Sequence, residues 1–138
     1  MKKYDIIDHT ADVGIKAYGK TISEAFENAA YSMFDIITDK SEIENTGQYD
    51  MELKANSLEQ LLVDFLSELL FLNSTKNLVF GFFKVDLNEK QKKLSAKIFG
   101  EKFNFSKHKI GEEIKAVTYH MLEIKKNKKY SVQVLFDI

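Results

Sequence analysis

The chain has 138 residues, of which 44% are hydrophobic and 30% are charged, a composition typical of a soluble globular protein rather than a disordered one. It contains no cysteine, which excludes disulfides, zinc–thiolate sites, iron–sulfur clusters and cysteine nucleophiles. All 20 basic residues are lysines and the net charge is −1, which excludes guanidinium clamps on phosphate and disfavours tight binding of nucleic acid by charge alone. The length predicts one domain spanning residues 1–138.

The N-terminal segment carries a polar cluster, Asp5-Ile6-Ile7-Asp8-His9-Thr10-Ala11-Asp12, before the first clear strand. Three carboxylates and an imidazole in so short a stretch could bind a hard cation such as calcium or magnesium. The alternative is a turn in which the side chains of Asp8 and Thr10 hydrogen-bond to the backbone. No apolar run long enough for a signal peptide or a membrane span is present, so we expect a cytoplasmic protein.

Two helices are predicted from start signals followed by apolar stripes. Thr21 with Glu24 forms a capping box, and apolar residues then recur with helical spacing to about Thr38. Ser57 with Gln60 repeats the signal, and a leucine-rich stripe follows that should end by Asn73.

Alternation of apolar and polar residues predicts half-buried strands elsewhere, at residues 13–17, 49–55, 83–87, 94–98 and 132–136. Hairpin loops are expected at 88–93 and at the lysine-rich 125–129. Residues 114–119 fit a short helix or a strand, and their β-branched and aromatic residues favour the strand. The elements predict an α+β fold with two amphipathic helices packed on one face of a mainly antiparallel sheet.

Candidate site residues also lie late in the chain. Lys115 sits among apolar residues, which indicates either a partly buried lysine with an acidic partner or an ordinary outward-facing one. His120 is interpreted as a half-buried structural histidine. If the last strand is ordered, Asp137 and the α-carboxylate of Ile138 are held in place, and beside Asp12 they would repel one another unless a cation lay between them.

Three stretches together resemble the archease family: Asp8-His9-Thr10-Ala11-Asp12-Val13, Glu113-Ile114-Lys115-Ala116-Val117-Thr118-Tyr119-His120 and Phe136-Asp137-Ile138. Gly100-Glu101-Lys102-Phe103 and Glu24-Ala25-Phe26 agree in place and type. The resemblance covers essentially the whole chain. One departure is Glu112 after Gly111, where the family pattern has threonine, and it concerns only the local turn.

The resemblance implies an archease α+β fold related to strand-helix-strand-strand modules. It also implies an accessory protein, not an enzyme, that promotes guanylylation and repeated turnover of the RtcB-type RNA ligase in tRNA splicing. The implied metal ligands are Asp12, Asp137 and the main-chain oxygens of Ile138, with calcium as the expected ion and magnesium as the alternative. Lys115, inside a family motif, is assigned a cofactor-binding role.

The expected partner is the ligase, with tRNA reached only indirectly and no membrane contact. The lysines at 125–129 are interpreted as a solvated loop tip, with a contact to the ligase or to the tRNA backbone as the alternative. Two rival functions use the same residues. A stand-alone metal-dependent phosphoester or nucleotide hydrolase would turn over nucleotide without a partner, and a metal-free structural adaptor would bind no cation.

Overall fold

The computed structural model describes residues 1–9 and 11–138, and of His9 it describes only the backbone. In that part of the chain the elements are, in order, β1 (Tyr4–His9), β2 (Asp12–Gly19), α1 (Ile22–Ile37), β3 (Gly47–Lys54), α2 (Leu58–Lys76), β4 (Leu78–Asn88), β5 (Lys93–Lys102), β6 (Ala116–Lys126) and β7 (Tyr130–Asp137). The imidazole of His9, which the cation-binding interpretation included, and the whole of Thr10, which the turn interpretation invoked, lie outside the described residues.

The strands form two antiparallel sheets, one in the order β1-β2-β7-β6 and one in the order β3-β5-β4. The predicted α+β class and the antiparallel pairing are therefore confirmed. The expectation of one sheet with both helices on one face was wrong, because α1 and α2 each contact strands of both sheets. Alternation along a strand shows which side is buried but does not identify the neighbouring strand.

Both helices begin at the predicted residues. The side chain of Thr21 accepts a hydrogen bond from the amide of Glu24, and that of Ser57 accepts one from the amide of Gln60. Helix α1 ends at Ile37, as expected. Helix α2 runs three residues beyond the predicted end at Asn73 because Asn77, in the left-handed conformation, caps it one turn later.

The five alternating segments form strands except for Ala55, and the strand predicted at 114–119 is present but begins at Ala116. The turns at 89–92 and 127–129 join neighbouring strands as predicted. Strand β1 was missed, since Asp5-Ile6-Ile7-Asp8 does not alternate. Among the strands that the structure describes, it is an edge strand whose neighbour is β2, and Ile6 on it is exposed.

One cluster of buried side chains lies between the sheets and helices, and its largest fully buried members include Phe26, Phe34, Phe65, Phe80 and Phe136. Helix α1 contacts both sheets, so side chains on more than one side of it are buried, including that of the polar Ser32. Neither helix in the described residues has the length and apolar character needed to cross a membrane.

The segment 103–115 links β5 to β6 and is fastened over the end of α1. The amides of Gly111 and Glu112 donate to the carbonyls of Ile37 and Ile36, at 2.8 and 3.0 Å. A Cβ at Gly111 would lie 2.0 Å from the carbonyl oxygen of Ile36, so only glycine allows this approach. After this contact with α1, the segment runs to the end of β7 and then enters β6.

Candidate metal centre

Asp12 and Asp137 lie directly opposite each other on the neighbouring strands β2 and β7. Residues paired in this way point to the same face of a sheet, with Cβ atoms about 5 Å apart. Asp137 is exposed and Asp12 is half-buried. The structure therefore brings together the two carboxylates that the sequence suggested from opposite ends of the chain.

The position of Asp137 is set from both sides. Strand β7 lies between β2 and β6, and Asp137 is paired with Asp12 on one side and with Ala116 on the other. Its carbonyl oxygen also accepts a hydrogen bond of 2.7 Å from the amide of Lys115. This end of the chain is thus part of the sheet, and Ile138 beyond it is half-buried against the core.

The aspartate pair lies on the outer face of the four-stranded sheet. Val132, Val134 and Phe136 of β7 are buried on the core face, so Asp137 and Leu135 project outward. Leu135 is nonetheless only 1% exposed, and it packs over Gly14 of β2, where a Cβ would lie 2.5 Å from its Cδ2. The carboxylates therefore stand beside a small apolar patch at the end of a polar face.

The other acidic residues of the N-terminal cluster lie elsewhere. Asp5 is paired with Lys16, four positions along β2 from Asp12, or roughly 13 Å. Its carboxylate accepts hydrogen bonds from the hydroxyl of Tyr18 at 2.6 Å and from Lys2 at 3.0 Å. Asp8 is exposed, and its partner Val13 packs against the core, so alternation places Asp8 on the opposite face from Asp12.

The hydrogen bond between Asp5 and Tyr18 shifts the pKa of both side chains. The hydrogen bond from Tyr18, followed by that from Lys2, lowers the pKa of the Asp5 carboxyl. The same bond to Asp5, together with partial burial, raises the pKa of Tyr18 to about 12. Asp5 is therefore engaged locally and does not serve the centre at Asp12 and Asp137.

Lys115 and His120 are both exposed. The interpretation of Lys115 as partly buried was wrong, and its outward-facing alternative is correct, because the residue precedes β6 at the rim of the sheet. The interpretation of His120 as half-buried was also wrong. His120 lies in an irregular stretch of β6 between Thr118 and Glu123, where the pairing with β7 shifts and Met121 has φ 56°.

The donor set at the aspartate pair is small. Among residues 1–8 and 11–138, no group of three or more histidine, cysteine, aspartate or glutamate side chains is placed to hold a metal ion. Carboxylate oxygens are the ligands that calcium and magnesium prefer, and like charges opposite each other on paired strands destabilise a sheet unless they are neutralised. The pair fits a hard cation whose remaining ligands come from main-chain oxygen, water or a partner.

A second feature of the outer face was missed. Lys16, Tyr18 and Ser131 line a pocket of about 430 Å³ together with residues of the 125–129 hairpin. Alternation along β2 already placed Lys16 and Tyr18 on one face, but only the strand order brings them beside the hairpin.

These features define a class of protein: a small α+β chain with two antiparallel sheets and a pair of aspartates that face each other across the neighbouring strands β2 and β7. Residues 4–138 match the model of the Archease protein family (MTH1598/TM1083). The chain is 42% identical over 142 residues to Protein archease of Pyrococcus furiosus, covering 100% of both chains. It is 43% identical over 141 residues to Protein archease of Methanosarcina barkeri, covering 99% of this chain and 97% of the relative.

A solved structure agrees with these relatives. The solution structure of Methanobacterium thermoautotrophicum protein 1598 superimposes with a TM-score of 0.84 at 37% identity, covering 100% of both chains. The chain belongs to the archease family. The resemblance inferred from the three stretches is confirmed.

Proposed function

We propose that this protein is an accessory factor of an RtcB-type RNA ligase in tRNA splicing, and that it promotes guanylylation and multiple turnover of the ligase with the help of a divalent cation. Membership of the archease family supports the proposal at the level of the protein. The observation that carries it at the level of the site is the cross-strand pairing of Asp12 with Asp137.

The cation would be held by Asp12, Asp137 and the main-chain oxygens of Ile138. Calcium takes six to eight oxygen ligands, and the two side-chain carboxylates supply at most four and Ile138 at most two. A carboxylate that binds through one oxygen leaves a place for water or for an oxygen from another molecule. A bound cation would supply Lewis acidity and positive charge for phosphate oxygens. We favour calcium, with magnesium as the alternative, because incomplete and irregular oxygen coordination suits the larger ion.

The surroundings of the pair suit insertion into a partner. Asp137 is exposed, and the pair ends a polar sheet face instead of lining a closed cavity. Lys115 stands beside it, fastened through its amide to Asp137 and with its ammonium group exposed. Such an arrangement offers a cation and a lysine to phosphate groups held by a ligase, and this is the cofactor-binding role that we propose for Lys115.

The test is guanylylation of the cognate ligase by GTP, with the accessory protein as wild type, Asp12→Asn or Asp137→Asn. Both variants are expected to lose stimulation, because the amides keep the shape of the side chains and remove the charges that hold the cation. Asp86→Asn is the matched control, since Asp86 is also an exposed strand aspartate but lies on the three-stranded sheet, and it should stimulate normally.

Full stimulation by Asp12→Asn and Asp137→Asn would overturn the proposal. A parallel reaction without the ligase tests the rival hydrolase function. Nucleotide turnover by the protein alone, lost in both variants, would indicate a metal-dependent hydrolase instead.

A further inference from the structure

The outer face of the four-stranded sheet carries a basic pocket at the end opposite to the aspartate pair. Tyr18 of β2, Ser131 of β7 and Lys125 of β6 form one row of cross-strand partners. Lys16, two residues before Tyr18, lies on the same face, and the hairpin residues 127–129 close the side. We define these residues as the basic pocket. Its volume of about 430 Å³ is in the range of small-ligand sites.

Four lysines converge on this pocket from three parts of the chain: Lys16, Lys125, Lys128 and Lys129. Two carboxylates face them. Asp5 is the strand partner of Lys16 but accepts hydrogen bonds from Tyr18 and Lys2, and Glu123 forms an ion pair with Lys125 at 3.0 Å. The pocket therefore keeps an excess of positive charge in a chain whose net charge is −1.

The lysines differ in how far they are already engaged. The ammonium group of Lys129 lies 4.7 Å from the centre of the Tyr18 ring, a cation–π contact that holds the hairpin against the sheet. Lys16 is half-buried, Lys128 is exposed, and neither forms an ion pair or hydrogen bond with the side chains that the structure describes. A half-buried ammonium group gains most from an anion, since burial weakens its hydration.

We propose that the basic pocket binds a phosphate group. Phosphate carries more charge and more oxygens than a carboxylate, so it can engage several lysines at once, and lysine is an established point-charge ligand for it. Asn127 and Ser131 add neutral donors beside the lysines, whereas the hydroxyl of Tyr18 is already donated to Asp5. The phosphate can come from an RNA backbone or from a free nucleotide, because the pocket presents the same chemistry to both.

This inference is independent of the cation at Asp12 and Asp137. It differs from the prediction that RNA is reached only through a partner, because it gives the protein its own contact with phosphate. One local pocket is compatible with the near-neutral charge of the whole chain, which disfavours only extended binding to the nucleic-acid backbone.

The experiment follows amide and lysine NMR signals of the full chain during titration with inorganic tripolyphosphate and, separately, with a 12-nucleotide single-stranded RNA, both in EDTA so that no bound cation contributes. Signals of Lys16, Ser131 and the 127–129 hairpin are expected to shift. The double variant Lys16→Gln/Lys128→Gln should bind at least about tenfold more weakly, since each charge-assisted hydrogen bond contributes that much or more.

The control is Lys84→Gln/Lys97→Gln, which removes the same charge from a cross-strand pair of exposed lysines on the other sheet. Retained affinity in the control and lost affinity in the pocket variant support the proposal, and the probe that binds identifies the source of the phosphate. Equal weakening in both variants would reduce the effect to net charge and overturn the proposal. Absence of shifts with both probes would overturn it as well.

Discussion

Glu101 is the centre of a compact polar cluster where β5 ends. Its carboxylate accepts hydrogen bonds from the amide of Glu44 at 2.7 Å, from Lys107 at 2.8 Å and from Nε2 of His108 at 3.0 Å. The other ring nitrogen of the buried His108 accepts from the amide of Asn104, so the proton lies on Nε2. The cluster fastens the start of segment 103–115 to the residues that follow α1.

The titration of Glu101 follows from these contacts. Burial alone would raise its pKa, but hydrogen bonds from Lys107, the Glu44 amide and His108 outweigh burial and lower the pKa below its ordinary value of 4.5. A carboxyl group with a lowered pKa in the folded state stabilises the protein above its ordinary pKa. That stabilisation is lost as the pH falls through the lower, folded-state value.

We therefore expect Glu101→Gln to lower the free energy of unfolding at pH 7 by about 1–3 kcal/mol, because it removes the charge from several hydrogen bonds. The difference from wild type should shrink as the pH falls below 4.5 and through the lowered pKa of Glu101 in the folded protein. Urea denaturation at several pH values measures the difference in the free energy of unfolding between Glu101→Gln and wild type. Glu52→Gln, at an exposed position on β3, should have little effect. A difference independent of pH would contradict the assignment of the stabilisation to the ionised carboxylate.

Helix α1 covers an open edge of the three-stranded sheet. Strand β4 is at the edge, and the amides of Val85 and Leu87 point away from the neighbouring strand. They donate to the carboxylate of Glu27 at 2.7 Å and to the hydroxyl of Ser23 at 3.1 Å. Burial of Glu27 raises the pKa of its carboxyl, although the Val85 amide opposes this. Unpaired amides on an edge strand invite pairing with another chain, so these two side chains block such pairing at Val85 and Leu87.

Glu27→Ala should lower the free energy of unfolding by about 1–3 kcal/mol, because the Val85 amide loses its acceptor in a half-buried place. Hydrogen exchange should become faster at Val85, and the protein should self-associate more at high concentration.

Glu27→Gln provides the matched comparison, since its amide oxygen can still accept from Val85. Protection of the Val85 amide should be largely retained in this variant. Equal exchange at Val85 in wild type and Glu27→Ala would show that the helix does not protect this edge.

At the scale of elements, the sequence was sufficient wherever a local pattern determines the structure. Capping residues Thr21 and Ser57 located both helices, and alternation located the strands with one buried face. Strand β1 was missed because its pairing with β2, and not its own pattern, makes it a strand. The division into two sheets was missed for the same reason, since pairing is a property of distant segments.

At the scale of the whole molecule, the outer face of the four-stranded sheet has two charged ends. The aspartate pair and the basic pocket lie roughly 13–20 Å apart along β2, judged from the spacing between Asp12 and the residues Lys16 and Tyr18. One end suits a cation and the other a phosphate. A single partner that carries both a cation and a phosphate could contact the whole face.

The candidate centre was only partly predictable. Asp12 and Asp137 were singled out from the resemblance and from the charge at both ends of the chain, but their adjacency depends on the register of β2 against β7. The exposure of Lys115 and His120 could not be derived from neighbouring residues, because an edge position and an irregular strand are tertiary features. Lys16 was not recognised because the hairpin that completes its pocket is distant in sequence.

Calorimetric titration of the purified protein with calcium, and separately with magnesium, tests most directly whether Asp12 and Asp137 hold a cation. Wild type is expected to bind one ion, and Asp86→Asn should bind equally well. Asp137→Asn should not bind. Without a cation, Asp137→Asn should be about 0.2–1 kcal/mol more stable than wild type, because it relieves repulsion across the strands.

At a cation concentration of 100 times the dissociation constant, wild type should gain about 2.7 kcal/mol and the order of stability should reverse. This reversal should be visible in thermal melts with EDTA and with the ion. Binding of the ion by Asp137→Asn with the affinity of wild type, or no binding by either protein, would contradict it.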